Sequence, residues 1–124
     1  MQSASTAKFV RYTPRKINQV LSVIRGKTVS SALEILSFTS KSPAILIEKV
    51  LKSAISNANA LKDFSSYSVK EAWVGSAPIL KRMRPGPRGT GMPIKKRTAH
   101  LTIVISDEIP LSIRKKNKAP SVVK

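Results

Sequence analysis

Cysteine is absent from the 124 residues, which excludes disulfides, thiolate metal sites and thiol nucleophiles and fits a reducing compartment. Histidine occurs once, as His100, on a strand-like run with no acid or Cys motif beside it. Local sequence therefore assembles neither a metal site nor a catalytic dyad. Acids number six, and Glu34, Glu48 and Glu71 stand apart, each reading as a surface residue beside a basic neighbour. No general acid and base pair emerges, so neither an enzyme nor a cofactor is expected. No run approaches the roughly 18 apolar residues of a membrane span. The opening Met1-Gln2-Ser3-Ala4-Ser5-Thr6 lacks the apolar stretch of a secretory signal and is too short for an organellar transit peptide, unless the sequence is already mature.

Positive charge is what the chain has in quantity. Twenty-three Lys and Arg give a formal charge of +17, and self-repulsion of that size opposes compaction unless counterions or phosphates neutralise it. Nucleic acid is the leading partner. A hydrophobic content of 41% is nonetheless close to a globular value, which argues against a wholly disordered basic protein. The length suits a single domain with a small core.

Three helices are predicted. Thr13-Pro14 reads as a cap followed by a proline at the first helical position. Ile17, Val20, Leu21 and Ile24 then form one apolar stripe, and Gly26 sits where a left-handed C-terminal residue belongs. Thr28 caps a second helix with Val29, Ala32, Leu33 and Leu36 as its stripe, ending near Phe38. Ser42-Pro43 repeats the cap-and-proline signal and opens the longest apolar pattern, with Ile47, Val50, Leu51, Ala54 and Ala58 on one face and Ile45, Leu46 and Ile55 broadening it. Asn57, Asn59, Lys62 and Asp63 mark its end and a loop.

From Ser68 the period changes to two. Val69, Glu71 and Trp73 alternate with Lys70, Ala72 and Val74, and Leu101, Ile103 and Ile105 alternate with Thr102 and Val104. Residues 8–12 could add a third strand. Helices laid on one face of such a sheet bury both apolar surfaces, so the expected class is α+β: three helices on a small three-stranded antiparallel sheet, with a long protruding β-hairpin and a basic C-terminal tail. In this division 7–80 and 98–109 form the body of a single domain, 81–97 the outer hairpin and 110–124 the tail, with Asp107-Glu108-Ile109-Pro110 closing the fold.

Residues 81–98 carry seven Lys or Arg and no acid, and they are broken by Arg84-Pro85-Gly86-Pro87-Arg88-Gly89-Thr90-Gly91-Met92-Pro93. From Val69 to Arg84, fifteen strand steps of about 3.3 Å span on the order of 50 Å, against a radius of gyration near 13 Å for a domain of about 100 residues. The hairpin must project. Met83, Met92 and Ile94 are too few to support an independent sheet, so the tip is expected to be mobile in the free protein. Lys81, Arg82, Arg84, Arg88, Lys95, Lys96 and Arg97 are spaced to meet phosphates. The arginines among them can also grip phosphate bidentately or stack on unpaired bases. Gly86, Gly89 and Gly91 lack the Gly-Lys-Ser/Thr ending and the following helix of a P-loop, and instead allow a narrow turn close to RNA.

Arg11, Arg15, Lys16, Arg25 and Lys27 form a second basic group around the first helix, in a stretch with no acid before Glu34. They read as RNA contacts against the alternative of ordinary helix solvation. His100 reads as structural or as an RNA contact. Trp73 could stack on a base, but its place in the alternating root favours a core or edge-of-core position. No recognition helix, zinc finger, basic zipper or aromatic ribonucleoprotein motif is present, which argues against base readout in a duplex. A mixed fold with a basic arm and tail suits insertion into a large folded RNA.

The residues also resemble a family, the bacterial-type large-subunit ribosomal protein L22. The likeness runs over residues 7–106. It is carried by Tyr12-Thr13-Pro14-Arg15-Lys16, Arg25-Gly26-Lys27, Ile47-Glu48-Lys49-Val50-Leu51-Lys52-Ser53-Ala54, Leu80-Lys81-Arg82, Arg84-Pro85, Arg88-Gly89, Lys96-Arg97-Thr98 and His100-Leu101-Thr102-Ile103. The resemblance implies a structural protein of the ribosome, in the cytoplasm or an organelle. It further implies binding to large-subunit, 23S-type rRNA during assembly and neighbouring large-subunit proteins as partners. The hairpin tip, residues 84–93, would line the nascent-peptide tunnel and meet the nascent peptide. Gly86-Pro87 and Thr90-Gly91-Met92-Pro93 replace a stretch usually richer in Arg and Ala.

Two other classes share the charge. A DNA-compacting protein would bind duplex DNA and random RNA alike, whereas a binder of anionic membranes would need an apolar face that the arm lacks, so no membrane insertion is expected.

Overall fold

The structure, a computed structural model, describes residues 2–58 and 66–107. The basic tail, Glu108-Ile109-Pro110 and the predicted loop residues Asn59, Lys62 and Asp63 lie outside the described residues. Among the described residues the order is β1 (Gln2–Val10), α1 (Pro14–Ile24), α2 (Val29–Phe38), α3 (Pro43–Asn57), β2 (Ser68–Ser76), β3 (Leu80–Pro85), a single 3-10 turn (Pro87–Gly89), β4 (Gly91–Lys96) and β5 (Ala99–Ser106). β1, β5 and β2 form an antiparallel sheet in that order, while β3 and β4 form a separate two-stranded ribbon. The expected α+β class with three helices, a three-stranded sheet and a hairpin is what the chain adopts.

The three helical stripes point into one core. Ile17, Leu21 and Ile24 of α1, Val29 of α2, Ile47 and Leu51 of α3, Val69 of β2 and Leu101, Ile103 and Ile105 of β5 are fully buried together. Gly26 ends α1 at φ 76°, a left-handed conformation that a Cβ would strain. Its N–H donates to Val69 O at 3.1 Å. Val69 N–H returns to Lys27 O at 2.9 Å, and Val29 N–H donates to Tyr67 O at 3.0 Å. The turn between α1 and α2 is thereby stitched to the start of β2, fixing the helical layer against the sheet.

The caps divide. Thr28 Oγ1 accepts from Ser31 N–H at 3.3 Å, as expected. Thr13 is extended but its side chain makes no cap bond, and α1 starts instead on the Thr13 carbonyl, which accepts from Ile17 N–H at 3.3 Å. Ser42 already has helical dihedrals (φ −58°, ψ −40°), so its hydroxyl cannot reach back as a cap. Ile45 was expected to widen the buried face of α3 but is 66% exposed. Two residues before Ile47 it sits about 200° around the helix.

β1 covers residues 2–10 rather than the expected 8–12, starting six residues earlier and stopping short of Arg11 and Tyr12, and it occupies a sheet edge. Its inward residues Ser3, Ser5 and Ala7 are small and pair with Ile105, Ile103 and Leu101. Ser3 Oγ donates to Ala54 O at 3.0 Å and Asn57 Nδ2 to Ala4 O at 2.9 Å, so α3 is bonded to this edge strand.

Trp73 lies on the open face of the sheet, which corrects the expectation of a core or edge-of-core position. The register of β2 against β5 shifts between Val69 and Glu71, and this bulge brings Ala72 rather than Trp73 to the helical face. Trp73 pairs with Thr102 on the open face and is 47% exposed. Trp73→Ala is expected to cost less than about 1 kcal/mol, the scale of a cross-strand pair rather than of a core aromatic. Urea unfolding checks this, since a much larger loss would place the indole in the core.

Candidate nucleic-acid interface

The arm leaves the body at a pinned junction. Ala77 N–H donates to Thr98 O at 3.1 Å and Thr98 Oγ1 to Pro78 O at 2.6 Å, with Ala77 and Thr98 both buried. Pro78 has no N–H for a ladder, which separates the root strands from the ribbon beyond and turns the expected continuous hairpin into two paired segments. Beyond the junction Arg82 pairs with Ile94 and Arg84 with Met92 on one face, and Lys81 pairs with Lys95 and Met83 with Pro93 on the other. Lys81 and Lys95 are like charges directly opposite each other, an arrangement that destabilises a strand pair unless an anion lies between or beside them.

The turn at the arm's end is closed by its own backbone. Gly86 N–H donates to Thr90 O at 2.6 Å, and Pro87 O accepts from Thr90 N–H at 3.3 Å and from Thr90 Oγ1 at 2.6 Å. Arg88 (φ 57°) and Gly89 (φ 70°) are both left-handed, so the tip arginine is held at a cost of about 1–2 kcal/mol that glycine would not incur. A Cβ on Gly86 would lie 2.6 Å from Thr90 O and 2.8 Å from Met92 Cγ. The methionine could swing away, but the carbonyl is fixed by the bond it accepts. Gly86→Ala is therefore expected to rebuild the tip, with amide chemical-shift changes confined to residues 83–92 and an unchanged melting temperature for the body. Shifts spread into α1 or β5 would contradict this partition.

All seven arm cations are exposed. None has an ion pair among the described residues, whereas on α3 Lys52 Nζ meets Glu48 Oε1 at 2.8 Å. Arg82 Nη1 donates to Lys81 O at 2.9 Å, which lays that guanidinium along the strand.

The second basic group resolves into two. Arg11, Arg15 and Lys16 gather at the start of α1, whereas Arg25 and Lys27 follow its end, about 15 Å away for ten residues of helix. All five are exposed. Arg25 also ties α1 to the sheet, through Nε to Ala72 O and Nη2 to Asn18 Oδ1, each at 2.7 Å. His100 Nδ1 accepts from Phe9 N–H at 3.1 Å, which leaves the ring proton on Nε2. Phe9 meets that ring edge-on with centroids 4.9 Å apart, at φ 56° in the irregular stretch of β1. Sequence reading missed this pairing because Phe9 and His100 are 91 residues apart. Among the described residues there is no group of three or more His, Cys, Asp or Glu that could hold a metal ion.

A small α+β body that carries an exposed cationic ribbon is the build of a ribonucleoprotein component. Residues 5–106 match the family model described as ribosomal protein L22p/L17e. The chain is 63% identical over 107 residues to the large ribosomal subunit protein uL22 of Endomicrobium trichonymphae, covering 86% of this chain and 93% of that protein. It is 51% identical over 104 residues to the protein of the same name from Ligilactobacillus salivarius, covering 82% and 90%. The counterpart from Clostridium acetobutylicum is 43% identical over 109 residues, covering 86% and 98%. The chain belongs to the ribosomal protein L22 family. It is accordingly a structural protein of the large ribosomal subunit in the cytoplasm, not an enzyme. No helix among the described residues is long and apolar enough to cross a membrane.

Proposed function

We propose that the protein binds large-subunit, 23S-type rRNA through two surfaces, supports subunit assembly, and contributes its arm's tip to the wall of the nascent-peptide tunnel. The arm supplies Lys81, Arg82, Arg84, Arg88, Lys95, Lys96 and Arg97. The body supplies Arg11, Arg15, Lys16, Arg25, Lys27 and the free edge of His100. One observation carries the reading: seven exposed cations ride on a ribbon that buries almost nothing and holds two lysines face to face, so its extended form is best stabilised by surrounding phosphates. Residues 84–93 stand farthest along the ribbon and would meet the nascent peptide. Neighbouring large-subunit proteins would adjoin the body, and the division into a body, an outer hairpin and a tail belongs to the same proposal.

A photoreactive amino acid at position 88, in ribosomes stalled on a translating message, tests the tunnel assignment. The expected product joins this protein to the nascent chain. Crosslinks confined to rRNA would remove the tip from the tunnel wall while leaving rRNA binding in place, and failure to incorporate into the large subunit would sink the whole reading.

A further inference from the structure

Where the start of α1 meets the turn between α2 and α3, Tyr12, Lys16, Gln19, Lys41, Ser42 and Pro43 line a cleft of about 280 Å³. Its apolar lining is Tyr12, partly buried against the core, and the buried Pro43. The rest is polar. Gln19 and Ser42 present an amide and a hydroxyl, and Lys16 and Lys41 present two cations, all four residues exposed. None of these polar heads, nor the Tyr12 hydroxyl, has a hydrogen-bond or ion-pair partner among the described residues, and Ser42 in particular is not used to cap α3.

An apolar wall, a planar donor-and-acceptor amide, a hydroxyl and two unpaired cations with no acid among them match the parts of one nucleotide. A base can lie against Tyr12 and Pro43 and offer its edge to Gln19 and Ser42, while its phosphate meets Lys16 and Lys41. The volume is close to the small end of ligand pockets, roughly 300 Å³, which suits a single nucleotide and not a duplex. We propose that this cleft receives one unpaired nucleotide extruded from the rRNA. The proposal rests on the rRNA-binding reading and narrows it: five of its residues, Tyr12, Gln19, Lys41, Ser42 and Pro43, fall outside both basic groups.

The test uses the full chain and a large-subunit rRNA transcript. Gln19→Ala/Ser42→Ala removes two exposed polar heads without changing charge, and circular dichroism verifies the fold. Affinity is expected to fall about tenfold, with the salt dependence unchanged. Lys16→Ala/Lys41→Ala is expected to weaken binding and to flatten the slope of log K against log salt by about one and a half. A photoreactive amino acid at position 19 should mark a single unpaired nucleotide. Wild-type affinity in the Gln19/Ser42 variant, or crosslinks spread over paired nucleotides or onto another protein, would overturn the cleft as a nucleotide site. Absence of rRNA affinity in the wild-type chain would instead overturn the broader reading beneath it.

Discussion

Replacing Lys81, Arg82, Arg84, Arg88, Lys95, Lys96 and Arg97 together by Gln is expected to collapse the salt dependence of rRNA binding while leaving the body folded. Each phosphate neutralised contributes about 0.7–0.9 to the slope of log K against log salt, so seven contribute about five to six. Between about 50 and 200 mM salt the wild-type protein should therefore lose on the order of a thousandfold more affinity than the variant. Filter binding to an rRNA transcript across that range reads the difference directly. The fold should survive because every substituted residue is exposed and none joins the core cluster. The ribbon itself should gain slightly, since the Lys81–Lys95 opposition disappears. A variant that keeps the wild-type slope would show that the arm does not meet phosphates and would leave the cations of the body as the anchoring surface.

How far this architecture can be read from sequence depends on whether a signal is local. Pro14, Gly26, Thr28 and Pro43 each constrain their own backbone, and the three helices lie where those residues put them. The arm is equally legible, because seven cations around a Pro/Gly-rich break fit no other element. β1 is hidden from residue 2 to residue 7 because its inward side must be small to let α3 approach, and a Ser/Ala strand lacks the apolar alternation that marks strands elsewhere. The side taken by Trp73 hinges on one bulge between Val69 and Glu71, which the period-two pattern cannot locate. Arg25 looks like its basic neighbours in sequence, yet its bond to Ala72 O spans 47 positions. The cleft beside Tyr12 likewise joins residues of α1 to the turn that leads into α3, and only tertiary packing brings Lys41 to Lys16.

The same contrast between core and arm sets the second large effect, at Ile103. This residue is fully buried at the centre of β5, between Ser5 of β1 and Ala72 of β2, two neighbours too small to fill the space it would vacate. Ile103→Ala should therefore cost toward the upper part of the roughly 2–5 kcal/mol found for such truncations. Small domains are typically stable by about 5–15 kcal/mol, and a formal charge of +17 opposes compaction further. The free variant should be largely unfolded or unfold at a much lower urea midpoint than the wild type. If rRNA binds the folded chain more tightly than the unfolded one, which carries the same charge, adding rRNA transcript should restore part of the lost ellipticity. A urea midpoint within a few tenths molar of wild type would mean that the β5 centre can collapse onto its small neighbours. A large loss that rRNA fails to offset would separate folding from RNA binding, contrary to a protein whose charge is arranged to be neutralised by its partner.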